Sequence, residues 1–243
     1  MKLPYGESNF KKIITQNFLY VDKTAYIALL EENGSFNILL RPRRFGKSLF
    51  VSTLRYYYDI RFQEDFDSLF GTLAIGKNPT PLHNSYQVLV FDFSGIATDD
   101  EQSIRQGFHR RVETGLKKFL MQYGYPHEYA GIIEEQEAAA GKMDHFLSLI
   151  GDAKIYLLID EYDHFANAVL GDSLGLFTKI VGKGGFVRAF YETLKTATME
   201  GIIDRLFITG VTSITLDSMT SGFNIGDNIT FHQDFNQAMG FTG

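Results

Sequence analysis

The stretch Asn37-Ile38-Leu39-Leu40-Arg41-Pro42-Arg43-Arg44-Phe45-Gly46-Lys47-Ser48-Leu49 decides how this chain is read. An apolar run ending at Leu40 breaks at Pro42, turns through Arg43 and Arg44, and meets Gly46-Lys47-Ser48 where helical spacing begins. Strand, loop, Gly-Lys-Ser and helix, in that order, are the parts of a phosphate-cradling P-loop. Backbone N–H groups of residues 43–48 would wrap a β-phosphate, helped by the positive end of the following helix dipole. In this pattern Lys47 neutralises the outer phosphates and the Ser48 hydroxyl ligates Mg²⁺. The spacing G-x-x-x-x-G-K-[ST] asks for glycine where this sequence has Arg41. Pro42 holds its own φ at about −65° and drives Arg41 towards an extended conformation, so the loop can be preset without that glycine. Bulk water, a phosphate and a neighbouring carboxylate are all open to the Arg41 side chain.

Working outward, Leu49, Phe50, Thr53, Leu54, Tyr57 and Tyr58 recur at helical spacing, which predicts a helix from Lys47 with one face on a sheet. Within it, Tyr56-Tyr57-Tyr58 reads as a half-buried helix face. Upstream, Asp22 is expected to cap a helix over 23–30, with Asn33-Gly34 as its stop. Downstream, Val88–Phe93 has the profile of a strand covered on both faces. Thr98-Asp99-Asp100-Glu101 reads as a capping box before a long helix carrying Ile104, Phe108, Val112, Leu116, Phe119 and Leu120. Residues 123–143 read as helical pieces on the surface.

A second informative stretch is Lys154-Ile155-Tyr156-Leu157-Leu158-Ile159-Asp160-Glu161-Tyr162-Asp163, an apolar strand ending in adjacent carboxylates. Beside a P-loop, Asp160 is placed to hold Mg²⁺ through water, and Glu161 to orient and deprotonate an attacking water. Strand-end solvation and helix capping are the ordinary alternative for the pair and for Asp163. Phe186–Met199 is predicted helical. Leu206–Val211 is another strand, followed by Thr212-Ser213, where a hydroxyl can meet a γ-phosphate or simply end a strand. Arg205 reads as solvated surface or an arginine finger. A short strand is expected around Asn228–Phe231. Alternating strands and helices predict an α/β fold with a mainly parallel sheet whose ligand lies at the carboxyl ends of the strands.

Composition excludes several classes. The 243 residues carry 23 basic and 29 acidic side chains, which argues against whole-chain attraction to nucleic acid. Without cysteine there are neither disulfides nor thiolate chemistry, and the six histidines follow no metal-ligand spacing. No apolar run reaches the roughly 18 residues of a membrane span, and the first residues carry no signal-peptide core. The chain reads as a soluble cytoplasmic protein.

Several strings together resemble a known family: Pro4-Tyr5-Gly6 with Asn9-Phe10, Tyr20–Thr24, Arg41–Ser48, Ile159–Asp163, Thr209–Thr212, and Ser221–Ile225. The chain is similar, over nearly its whole length, to the predicted AAA-ATPase-like proteins of bacteria and archaea. The resemblance implies a three-layer α/β/α P-loop NTPase core with sheet order 5-1-4-3-2. It also implies ATP or ADP with Mg²⁺ as ligands, held by Arg43, Arg44, Phe45, Gly46, Lys47, Ser48 and Leu49. Ser48 and Asp160 then belong to the metal, Glu161 is the general base and Thr212 the phosphate sensor. Arg41 becomes a family habit. The expected organisation is a lead-in over 1–36, an ATPase core over 37–233, and the start of a helical lid over 234–243. Members of the family often continue into a nuclease-like domain of the PD-(D/E)xK type, the route by which nucleic acid enters the reading. An ATP-hydrolysing switch for an attached effector, with homo-oligomers open to it, is the function implied. A nucleotide-holding regulatory module without turnover is the alternative.

Overall fold

A computed structural model describes residues 2–219 and 222–240; within the resemblance, Ser221 therefore lies outside the described residues. The lead-in forms α1 (Phe10–Thr15) and α2 (Tyr26–Asn33), and β1 (Phe36–Leu40) runs through the Arg41 loop into α3 (Lys47–Tyr58). Short helices α4 (Phe66–Phe70) and α5 (Ala74–Lys77) precede β2 (Gln87–Asp92). Then come α6 (Glu101–Gln122), α7 (Glu128–Glu134), α8 (Ala139–Ile150) and β3 (Ile155–Asp160). Helices α9 (His164–Asp172), α10 (Leu174–Val181) and α11 (Phe186–Met199) lead to β4 (Ile203–Gly210), α12 (Ile214–Ser218) and β5 (Asp227–Asn228).

All strand pairs are parallel, and the order β2-β3-β4-β1-β5 is the predicted 5-1-4-3-2 read from the other edge. Helices cover both faces, giving an α/β/α core. On one face α6, α8, α9, α10 and α11 bury Leu89, Phe91, Leu157 and Ile159. On the other, α1 to α4 bury Leu39, Val88, Leu158 and Phe207. Every residue of β3 is buried, as its unbroken apolar run requires of a central parallel strand.

Several local expectations are corrected. Asp22 does not cap α2: its Oδ1 accepts from the Thr24 N–H and hydroxyl, its Oδ2 from the Ala74 N–H at 2.7 Å, and the helix starts later, at Tyr26. Asp100, not Thr98, caps α6, its carboxylate accepting from the Ser103 N–H at 2.7 Å. Residues 123–143 are not merely surface pieces, because Ile133, Ala139 and Met143 of α7 and α8 enter the core against α6. Tyr56, Tyr57 and Tyr58 are all buried, since α3 is held between the sheet and the α1–α4 segment. The strand expected near 228–231 is two residues long and turns into a 3-10 helix at Ile229.

Candidate functional site

The carboxyl ends of β1, β3 and β4 bring the informative stretches together. Arg44 (φ +69°) and Gly46 (φ +84°) both take left-handed backbone. Such reversals turn successive N–H groups towards one side and form a concave anion nest. Gly46 then occupies the N-cap of α3 without a side chain, so no side-chain oxygen competes for the helix's first N–H groups. Lys47 is the first residue of α3 and is only 4% exposed. Its ammonium lies 3.4 Å from Glu161 Oε1 and donates to the Pro42 carbonyl at 3.3 Å. A buried cation of this kind has to be partnered, and the available partners are the carboxylate and the rim of the loop.

Asp160 ends β3 directly beside Asp92, the last residue of β2. Its Oδ1 accepts from the Glu161 N–H at 3.0 Å. Burial pushes its carboxyl up to about 6; the Ser48 hydroxyl pulls the other way, and the charges of Asp92 and Glu161 add to the rise. A buried carboxylate destabilised by neighbouring negative charge, with a hydroxyl beside it, fits a divalent cation. Among the described residues there is no group of three or more His, Asp or Glu side chains able to hold a metal ion.

Glu161 itself has φ +52°, a left-handed conformation costing a non-glycine residue roughly 1–2 kcal/mol. What holds it there is the pair of residues that follows. The Tyr162 N–H donates to the Thr209 carbonyl at 3.2 Å, and its hydroxyl donates to the Thr212 carbonyl. Asp163, fully buried, accepts from the N–H groups of Val211 (3.1 Å) and Thr212 (2.7 Å) and from Asn167 Nδ2 (2.6 Å). Asp163 thus clamps the end of β4 to the end of β3. The clamp needs Gly210: a Cβ there would stand 2.4 Å from Asp163 Oδ1 and from the Tyr162 ring.

The structure therefore groups Lys47, Ser48, Asp160 and Glu161. Thr212 is one step removed, its hydroxyl donating to Asn167 Oδ1 at 3.0 Å and also meeting Asp163. Ser213 donates to Asp217. Arg205 lies within β4 opposite Tyr156, nearer the other end of the strands, and donates to the Gly34 carbonyl. That end of the sheet is not where a finger on this loop would stand. Arg41 takes none of its three expected destinations. Its guanidinium is buried and donates to the carbonyls of Leu40 (2.8 Å), Thr230 (2.9 Å) and Phe235 (2.8 Å).

Next to Lys47 opens a cleft of about 470 Å³. Its floor includes Arg44, Phe45, Ser48 and Leu49, while Arg43 is exposed outside it. Its walls come from the lead-in (Leu3, Pro4, Leu19, Val21) and from Ala238, Met239 and Gly240. These wall residues escaped the reading of the sequence as site residues. Their only signal was that Pro4 and Val21 stand in strings shared with the resembled family.

The class of protein is now defined by fold and site: a parallel α/β core with a lysine-bearing loop facing an acidic strand end. The family model described as "Predicted AAA-ATPase" matches residues 4–220, and the chain belongs to that family. It is similar to a protein of Azotobacter chroococcum mcd 1 described as "Uncharacterized protein in vnfD 5'region", with 27% identity over 244 residues. The match covers 99% of this chain but only 43% of that relative. No solved structure matches. No helix among the described residues is long and apolar enough to cross a membrane.

Proposed function

We propose that this chain binds ATP with Mg²⁺ and hydrolyses it, residues 37–233 forming the nucleotide-binding core. The observation that carries the reading is the buried Lys47 ammonium at the anion loop, 3.4 Å from Glu161. In this reading the loop residues Arg43–Leu49 hold the phosphates, and Ser48 and Asp160 hold Mg²⁺. The nucleoside lies in the cleft between the lead-in and residues 238–240. Bound Mg²⁺ supplies positive charge to the phosphoryl oxygens. Arriving phosphates take over the Lys47 ammonium and release Glu161, which is then free to accept a proton from the attacking water. Thr212 serves as phosphate sensor once its hydroxyl leaves Asp163 and Asn167. An attached effector, a nuclease among the candidates, fits a family relative of which this chain spans 43%. Nucleic-acid contact through that effector, homo-oligomerisation and a cytoplasmic setting belong to the same proposal.

Lys47→Ala removes a charge-assisted contact and is expected to weaken ATP binding roughly ten- to a hundredfold. Glu161→Gln is expected to keep binding and to lower phosphate release by about a hundredfold or more. Fluorescent-nucleotide titration and steady-state phosphate release measure the two. Unchanged ATP affinity in Lys47→Ala would sink the assignment. Because the Thr212 hydroxyl is engaged by Asp163 and Asn167, a regulatory module that holds nucleotide without turnover is the second reading. ATP binding without phosphate release by the wild-type chain would select it.

A further inference from the structure

The outer edge of β2 is the one long edge of the sheet, and it is covered unevenly. At its start, Asp59 bridges Tyr86 and the Ile60 N–H donates to the Tyr86 carbonyl. One step on, the outward N–H of Val88 donates to the Tyr123 hydroxyl at 2.6 Å. The N–H groups of Gln87 and Phe93 donate inward, to the carbonyls of Lys154 and Asp160. Strand alternation therefore turns the N–H groups of Val90 and Asp92 outward, while the outward Val90 carbonyl lies beside Gly115 of α6, where a Cβ would stand 3.1 Å from it. Beside them runs a groove of about 230 Å³.

The groove is lined by cations from both faces of the sheet: Arg55 from α3, and Arg111 and Lys118 from α6. Among the described residues neither Arg55 nor Lys118 makes an ion pair. Burial, with the charges of Arg55 and Arg61, lowers the Lys118 pKa below the ordinary lysine value, so like charges crowd one another across the groove. Arg111 donates to the Ser94 carbonyl, and Asp92, whose Oδ1 accepts from the Ser94 N–H, is the single carboxylate in the lining. In a chain with six more acidic than basic residues, this local excess of positive charge needs a reason.

We propose that this edge receives an acidic peptide segment in extended form, added as a sixth strand beside Val90–Asp92. Alternate side chains of an added strand point to opposite faces, so its carboxylates would meet Arg55 on one side and Arg111 and Lys118 on the other. Edge cations also repel neutral or basic strands, and this makes the site selective for acidic ones. A nucleic-acid phosphate would satisfy the charge but leave the outward N–H groups of Val90 and Asp92 without a strand partner; the edge favours a peptide.

The probes are a fluorescein-labelled peptide of Glu-Glu-Val repeats, which presents carboxylates on both faces of an extended strand, its Lys-Lys-Val counterpart and a single-stranded oligonucleotide of equal negative charge. The acidic peptide is expected to bind at low salt, to weaken as salt rises, and to slow hydrogen exchange at the Val90 and Asp92 amides. The charge reversals Arg55→Glu and Lys118→Glu together are expected to cost about tenfold or more in affinity, with the thermal midpoint reporting whether the variant is folded. Any of four results overturns the proposal. They are no binding of the acidic peptide to the wild-type chain, binding without protection of those two amides, equal affinity in the folded double variant, or tighter binding of the oligonucleotide. The exchange measurement uses the unaltered protein and so stands even if the variant does not fold.

Discussion

Asp160 shows how much one residue's chemistry depends on neighbours distant in sequence. Its carboxyl is pushed up to about 6 from a usual value of 3.8, burial being the main cause. A raised acid pKa means the folded protein holds the proton longer than the unfolded chain. Its contribution to stability is therefore most favourable below pH 3.8, declines as pH rises towards 6, and stays at its least favourable above. Asp160→Asn removes this charge and keeps an oxygen for the Glu161 N–H. It is expected to stabilise the nucleotide-free protein by roughly 2–3 kcal/mol above pH 7 and by little near pH 4, read from denaturant midpoints across pH. A variant with the same gain at both pH values would contradict the cause given. An acid at a strand end was legible from the Ile155–Asp160 run. Its altered proton affinity was not, because it arises from burial of the β3 end by segments distant in sequence, with the charge of Asp92 on β2 adding to the rise.

At the scale of elements, the long helix α6 was legible from its apolar spacing, and each of Ile104, Phe108, Val112, Leu116, Phe119 and Leu120 is buried. Its approach to β2 was not. A Cβ on Gly115 would stand 2.7 Å from the Phe91 ring and 3.1 Å from the Val90 carbonyl oxygen. Alanine in a helix interior is worth about 1 kcal/mol over glycine, whereas overpacking costs about 1–3 kcal/mol. Gly115→Ala is therefore expected to destabilise the fold by up to roughly 2 kcal/mol, seen as a lower thermal midpoint. A higher midpoint would mean that α6 can move away freely. The same limit applied to the strand-end carboxylates. Asp163 read either as an aid to the acidic pair or as a helix start, and only the packing of β3 beside β4 gave it the amides of Val211 and Thr212 as partners.

Across the whole molecule, Arg41 joins parts the chain order keeps apart. Where a P-loop has glycine, its guanidinium crosses to the Thr230 and Phe235 carbonyls and fastens the segment that carries Ala238, Met239 and Gly240 to the strand bearing the anion loop. Lysine cannot span such separate carbonyls with a planar fork. Arg41→Lys is expected to cost about 1–3 kcal/mol and to speed proteolysis within residues 230–240 while the sheet stays folded. Proteolysis at the wild-type rate would argue against the clamp. Sequence alone determined the α/β class, the strand order through the resemblance, and the grouping of Lys47, Ser48, Asp160 and Glu161 at strand ends. The class and the grouping could be read because apolar periodicity and glycine placement are local properties of a chain; the strand order came from the resemblance. Tertiary structure alone decided where Arg41 points, why Asp163 is buried, what walls the cleft, and how the edge of β2 came to be open and positively charged. Each of these is a contact between segments far apart in sequence, and the energy of burying a charge or leaving an amide unpaired exists only once the fold has brought them together.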